Sequence, residues 1–277
     1  MKKIVLIAFT VISSQVFAQK ATEKIILKEG QKMNINQSGT ANMTFNVMGQ
    51  DIEITSANDI TTLLEVKTIA DNNISLVSTV KKMKISSQAM GNSQNYDSEN
   101  AADKDSEIGK AMGGKLNVPE EVVLDNAGKE INSKKTEDAE GSNPMEKMFN
   151  PSTGNSISAA FMVLPANIKK GYTWVDSSLD DKLKTIKKYT IKDIKGNEAI
   201  TDVNIMLTGE KTVNTQGMEM TITLNTTTTG EITSDITTGL VKKNELVTEM
   251  NNTVDMMGNS GPMTGKATTT IICTPVQ

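Results

Sequence analysis

Apolar and polar residues alternate with a period of two along several stretches of this chain. In the first of them, Met43, Phe45 and Val47 are separated by threonine and asparagine, and after a turn at Gly49 the alternation resumes over residues 52–55. Side chains of a β-strand point to its two faces in turn, so this pattern predicts a hairpin with one face in water.

The same alternation recurs in the second half of the chain. Met218, Met220, Ile222 and Leu224 are separated by glutamate and threonine, and residues 203–207 follow the same rule. Threonine suits exposed strand positions because β-branching favours the extended backbone while the hydroxyl stays hydrated. The sequence therefore predicts a mainly β protein of antiparallel sheets, with a few short helices in the connections.

Two short segments suggest an internal duplication. Residues 28–30 (Lys-Glu-Gly) and 169–171 (Lys-Lys-Gly) each precede a strand, a polar turn and a second strand. Between them, residues 133–155 are rich in Lys, Glu, Asp, Ser and Asn, which is typical of a solvated connection. We predict a first β-unit, a polar linker with short helices and a second β-unit, at residues 19–132, 133–165 and 166–277. Short helices are expected over residues 99–112, 143–148 and 157–162.

The first residues have the pattern of a secretory signal. Lys2 and Lys3 precede an apolar run over residues 4–17, which is too short and too polar to serve as a membrane anchor, and Ala18 supplies a small residue at its end. We therefore predict that the signal, residues 1–18, is cleaved after Ala18. The mature chain is then expected to be periplasmic or secreted, with no transmembrane segment.

The composition disfavours most catalytic and nucleic-acid-binding functions. The chain has no histidine and no arginine, all 29 basic residues are lysines, and the net charge is −4. It therefore lacks the imidazole that titrates near neutral pH and the guanidinium that clamps phosphate, and an acidic chain is a poor partner for nucleic acid. We predict no nucleic-acid partner, no catalytic residue and no cofactor. The lone Cys273 is expected to be a buried thiol in a terminal strand.

The methionines are the most unusual candidate site residues in the sequence. Met218 and Met220 share a strand face with Ile222 and Leu224. This stripe fits an ordinary core first, an apolar ligand groove second, and a soft Cu(I) site third. The Cu(I) site would use Met218, Met220, Met256, Met257 and Met263. The groove would be lined by Met218, Met220, Ile222 and Leu224, with Met43, Phe45 and Val47 as counterparts in the first half.

The densest acidic stretch covers residues 97–107. Its carboxylates lack the order and the glycine turn of a calcium loop, and Lys104 lies in their midst. We interpret the stretch as a solvated loop that leads into a helix, and we predict no metal site.

Several short motifs resemble those of a family of exported proteins of unknown function from Bacteroidetes-type bacteria. They are Lys-Glu-Gly at 28–30, Met-Gly at 48–49, Tyr-Asp-Ser at 96–98, Leu-Asp-Asn-Ala-Gly-Lys-Glu at 124–130, Phe-Met-Val-Leu-Pro at 161–165 and Gly-Tyr-Thr-Trp at 171–174. The resemblance implies a β-rich, duplicated architecture akin to the curved open sheets, or half-barrels, of periplasmic lipid-carrier proteins. It implies no activity and supplies no site residues.

These expectations favour a non-enzymatic binding protein that holds an apolar small molecule or lipid on the concave face of a sheet. The fold analogy supplies most of that hypothesis. The alternative is a structural or envelope protein that binds another protein through its threonine-rich faces or strand edges. An enzyme comes third, and it would need carboxylates and a lysine that converge in a pocket.

Overall fold

The computed structural model describes residues 19–47, 49–70, 72–131, 157–215, 218–256 and 258–276. Within these ranges the strands are β1 (Gln19–Lys20), β2 (Lys32–Val47), β3 (Gln50–Ala70), β4 (Asn73–Ala89), β5 (Asn92–Asp97), β6 (Pro119–Asp125), β7 (Asn167–Ile168), β8 (Thr173–Asp180), β9 (Leu183–Lys195), β10 (Glu198–Thr215), β11 (Met218–Asp235), β12 (Val241–Met256) and β13 (Asn259–Pro275). The prediction of a mainly antiparallel β protein is confirmed.

Helical structure is sparse in the described ranges. The helix expected over residues 99–112 is a 3-10 turn, Ala101–Asp105, followed by the short helix α1, Glu107–Gly113. The helix expected over residues 157–162 is a single 3-10 turn, Ser158–Ala160. The predicted signal at residues 1–18, the predicted helix at 143–148 and the polar stretch at residues 133–155 lie outside the described residues.

Eleven strands form one antiparallel sheet, in the order β5-β4-β3-β2-β13-β12-β11-β10-β9-β8, with β6 paired to β4 beside β5. The short strands β1 and β7 form a separate pair. Because the last strand, β13, pairs with β2, the two predicted units contribute to one continuous sheet.

The two faces of the sheet differ in polarity. Along β2, Met33, Ile35 and Met43 are buried, whereas the residues between them that point the other way are all lysine, asparagine, serine or threonine. We call the face that carries Met33 and its cross-strand neighbours the inner face, and the opposite one the outer face. Along β2, the alternation seen in the sequence therefore separates a largely apolar inner face from a hydrated outer face.

The sheet is strongly curled around its inner face. The Ile25 N–H donates to the carbonyl of Asn126, after β6, and the Ile26 N–H donates to the carbonyl of Thr238, between β11 and β12. In a flat sheet, strands lie about 4.8 Å apart, so β6 and β12, five steps apart in the sheet, would be separated by about 24 Å. Two adjacent residues reach both turns only because the sheet curls.

The largest core, which we call the base core, fills the curled sheet at one end, the base, where the β3–β4 and β11–β12 turns lie. Its buried residues are Ile25, Leu27, Met33, Ile35, Leu64, Val66, Ile74, Leu76, Val122, Leu124, Ala160, Phe161 and Ile271. Segments 19–31 and 157–172 cross the inner face there. Phe161 is buried in this core and forms an isolated bridge with Leu240, and a Cβ on Gly128 would lie 2.8 Å from both Ile25 Cδ1 and Phe161 Cβ. These segments thus fix the curl by packing inside it.

The two segments singled out as a possible repeat have the same local geometry. The Gly30 N–H donates to the carbonyl of Val66 on β3, and the Gly171 N–H donates to the carbonyl of Ile191 on β9. The pairing register of each following hairpin shifts next to that residue. The two crossing segments therefore end with the same backbone hydrogen bond to the hairpin that follows each of them.

Candidate functional site

A smaller apolar cluster lies at the opposite end of the sheet, the tip, where the β2–β3 and β12–β13 turns lie. Met220, Ile222 and Met263 are buried in it, and Phe45, Leu224 and Val254 pack against them. We call these six residues the tip cluster. They come from β11, β12, β13 and β2, and Met263 stands directly opposite Phe45 in the β13–β2 ladder. The inner face thus brings the apolar stripes of the two halves of the sequence together.

The predicted groove residues divide by how much solvent reaches them. Met220 and Ile222 are 9% and 1% exposed, so both have the burial of core residues, whereas Phe45 and Leu224 are half-buried. Met43 is also buried, because its side chain lies over Gly265, where an added Cβ would come within 2.6 Å of Met43 Cγ.

Two groove predictions concern side chains that lie outside the described residues. The backbones of Met218 and Val47 belong to β11 and β2, but the positions of their side chains are not among those described.

Sequence reasoning missed part of the inner-face lining on β12 and β10. Leu246, Met250, Val254 and Ile205 all lie on the inner face and are half-buried. The signal was present, since apolar residues recur at even positions of β12, but threonine and asparagine at other even positions obscured it. A half-buried apolar side chain on the inner face is one that solvent, or a ligand, can touch.

The methionines proposed for copper partly converge. Met220 and Met263 share the tip cluster, and Met256 stands opposite Met220 in the β11–β12 ladder. The side chains of Met218 and Met257 lie outside the described residues. A thioether site for Cu(I) at the tip therefore stays a proposal.

Carboxylates of the acidic stretch at residues 97–107 have partners within the loop and on the neighbouring strand β4. The Asp103 carboxylate accepts hydrogen bonds from the Asp97 N–H and from the Asn100 side chain, both at 2.8 Å, and Glu99 pairs with Lys82 at 2.6 Å. In the described part of the chain, no group of three or more Asp, Glu, His or Cys side chains is arranged to hold a metal ion.

Cys273 lies on the inner face, opposite Ile35 in the β13–β2 ladder. Burial raises the pKa of its thiol to about 12. The group is therefore protonated at neutral pH, whereas a nucleophilic cysteine reacts as the thiolate.

Lysine and carboxylates do converge at a depression of about 440 Å³ on the outer face, lined by residues of β9, β10 and β11. Asp202 and Glu231 line it, and Lys192 pairs with both of them. The hydrogen bond that Lys192 donates to Glu231 raises the pKa of Lys192, although burial acts in the opposite direction. A lysine nucleophile needs a lowered pKa, so these contacts describe a surface ion-pair network.

A comparison with models of protein families shows which family the chain belongs to. Residues 71–241, more than half of the sequence, match the model of a family of unknown function, DUF6263. The chain belongs to this family. The predicted resemblance to a family without established activity is thereby confirmed. No curated protein matches the sequence.

Solved structures give only distant likenesses. An outer membrane channel from Pseudomonas putida F1 is 9% identical with a TM-score of 0.25, covering 91% of this chain and 98% of that one. OccK5 (OpdH) of Pseudomonas aeruginosa is 8% identical with a TM-score of 0.27, covering 90% and 99%. The translocator domain of the autotransporter NalP from Neisseria meningitidis is 6% identical with a TM-score of 0.22, covering 90% of each chain. At these TM-scores the likenesses carry no argument about this chain.

None of the helices in the described ranges is long and apolar enough to cross a membrane.

Proposed function

We propose that this protein is an exported, non-enzymatic binding protein that holds an apolar, lipid-like molecule on the inner face of its curled sheet. The observation that carries the proposal is the contrast between the two faces. The outer face is polar along β2, whereas the inner face carries partly accessible apolar side chains between the tip cluster and the base core. Apolar surface that a soluble protein leaves accessible and rims with polar residues is typical of a binding site.

The position of the covering segments supports this choice. Segments 19–31 and 157–172 fill the curl at the base, as the bonds of Ile25 and Ile26 to both sides of the sheet demonstrate. Nearer the tip, Leu246, Met250 and Phe45 are only half-buried. An apolar ligand placed there would remove these side chains from water, which is worth about 25 cal/mol for each Å² of apolar surface.

Export is the second part of the proposal. It rests on the charged start, the short apolar run and the small Ala18 that together form a secretory signal pattern. A carrier of apolar molecules between membranes would work in such a compartment.

Phe45→Asp tests the proposal most sharply, because Phe45 is half-buried and faces the inner side of β2. We expect the purified protein to bind the neutral apolar dye N-phenyl-1-naphthylamine with a rise in fluorescence. A carboxylate in the groove would lose its hydration without gaining a partner, so Phe45→Asp should weaken dye binding by about tenfold or more.

Thr264→Asp is the matched control. Thr264 lies on the outer face of β13 opposite Thr44 and Asn251, so the same charge enters the same region of the sheet on its hydrated side. Dye binding by Thr264→Asp should equal that of the unchanged protein. If Phe45→Asp fails to fold, as judged by circular dichroism, Phe45→Ala replaces it. Undiminished binding by a folded Phe45 variant would contradict the proposal.

A second candidate function is protein binding at β8, an edge strand of the sheet. Val175 and Leu179 are 58% and 74% exposed, and both lie on this edge strand. Exposed strand edges with apolar side chains are templates for pairing with another chain. In native mass spectrometry this function would appear as a protein partner bound to the chain, and the substitution of both residues by lysine would remove that partner.

A further inference from the structure

Five polar side-chain atoms are buried without a hydrogen-bond partner in the described part of the chain. They are Gln37 Nε2, Asn58 Oδ1, Thr201 Oγ1, Ser234 Oγ and Asn244 Oδ1. The Gln37 and Asn244 side chains belong to residues that are only 4% and 5% exposed. Leaving such a group unsatisfied costs about 1–3 kcal/mol, so these atoms need an explanation.

Three of these residues lie in one row that crosses the inner face. Gln37 stands opposite Ile271, Ile271 opposite Asn244, Asn244 opposite Ile232, and Ile232 opposite Thr201. We call Gln37, Asn244 and Thr201 the polar row. Polar and isoleucine side chains therefore alternate across β2, β13, β12, β11 and β10.

Asn58 joins the polar row at the β2 side. It faces Gly39, which is two residues from Gln37 on the same face, and its Oδ1 lies 3.3 Å from the position of a Cβ on Gly39. The missing side chain of Gly39 is what lets the Asn58 amide lie flat against β2. Asn58 and Gln37 are thus diagonal neighbours on the inner face.

The polar row lies where the proposed groove meets the base core. Ile35, two residues from Gln37, belongs to the base core. Ile271, which stands between Gln37 and Asn244, also belongs to it and is its member nearest to the tip on β13. In the other direction, Phe45 of the tip cluster is eight residues from Gln37, or about 26 Å along the strand. One leaflet of a bilayer's hydrocarbon core is about 15 Å thick, so an extended acyl chain fits between the polar row and the tip cluster.

The chemistry of the row selects the end group of a ligand. No member of the row carries a charge, so a carboxylate or an ammonium would be desolvated there without a counterion. The amide oxygens of Asn244 and Asn58 need a donor, and the Gln37 amide nitrogen needs an acceptor. A hydroxyl group supplies both.

We infer that the ligand is an apolar chain that ends in an uncharged hydroxyl, and that this hydroxyl donates to Asn244 and accepts from Gln37. The inference rests on the proposed function and adds the class of ligand. Long-chain alcohols and monoacylglycerols have this chemistry, whereas fatty acids at neutral pH do not.

The test compares 1-decanol with decyl methyl ether as competitors of N-phenyl-1-naphthylamine. Both have the same chain, and both accept a hydrogen bond, but the ether has no proton to donate. We expect the unchanged protein to bind the alcohol about tenfold more tightly than the ether. Asn244→Leu removes the acceptor and should bring the ratio close to one. Gln37→Leu should weaken both competitors and leave the ratio nearly unchanged.

Asn251→Leu is the control, because Asn251 is exposed on the outer face of the same strand, β12. It should keep the full preference for the alcohol. Equal binding of alcohol and ether by the unchanged protein, or an undiminished preference in folded Asn244→Leu, would overturn the inference while leaving the proposed function standing. If neither competitor displaces the dye and the dye itself does not bind, both the inference and the proposed function fail.

Discussion

Gly230→Val is expected to prevent folding. Gly230 lies in the middle of β11 with a φ of +159°, between Val203 on β10 and Leu246 on β12. A Cβ at this position would overlap the carbonyl oxygen of Glu245 and lie 2.9 Å from the Leu246 Cα, both of them backbone atoms that cannot turn away. Relief would require the two strands to separate at the centre of the sheet.

The cost should exceed about 4–5 kcal/mol, which is comparable to the total stability of many domains. We expect the variant to be insoluble or to lack the far-ultraviolet circular dichroism of a β-sheet. Gly113→Ala is the control, because nothing lies within 4 Å of the added Cβ and the helical backbone accepts alanine. A soluble Gly230→Val protein with an unchanged spectrum would contradict the close strand approach described here.

Phe161→Ala is expected to destabilise the fold by about 3–5 kcal/mol. Phe161 is 7% exposed in the base core, is bridged to Leu240 and packs beside Ile25 and Gly128, so its ring lies where opposite parts of the curled sheet meet. The alanine variant would leave a cavity at the point that fixes the curl. Urea unfolding followed by Trp174 fluorescence measures the loss.

Ile26→Ala provides the comparison in the same region. Ile26 is 47% exposed although it follows the buried Ile25 in the crossing segment. Its truncation removes little buried surface, so we expect a change of less than about 1 kcal/mol. Equal effects of the two substitutions would mean that the base core does not hold the sheet in its curled form.

Much of the sheet could be predicted from alternation alone. Phe45 and Ile222 lie on the inner face because each belongs to an apolar set with a period of two, and that period fixes the face of every residue in the strand. The sequence motif Lys-Glu-Gly at 28–30 likewise marked a position whose hydrogen bonds recur at Gly171. These features are local, so a short stretch of sequence contains them.

The curl and the position of the site depend on contacts between distant residues. Nothing near Ile25 in the sequence indicates that its backbone joins the turn after β6 while its neighbour joins the turn after β11. The pairing of β13 with β2, which places Met263 beside Phe45, joins opposite ends of the chain. Gln37 and Asn244 looked like ordinary strand residues, since burial of an unpartnered amide is visible only after folding.

Native mass spectrometry of the protein, purified from its native cells without detergent or chelator, tests the central claim most directly. We predict the mass of the chain plus one lipid-sized, uncharged adduct, and the loss of that adduct in Phe45→Asp but not in Thr264→Asp. A bare chain, a chain bound only to another protein, or a copper-sized adduct in place of the lipid would contradict the claim that the inner face holds an apolar ligand.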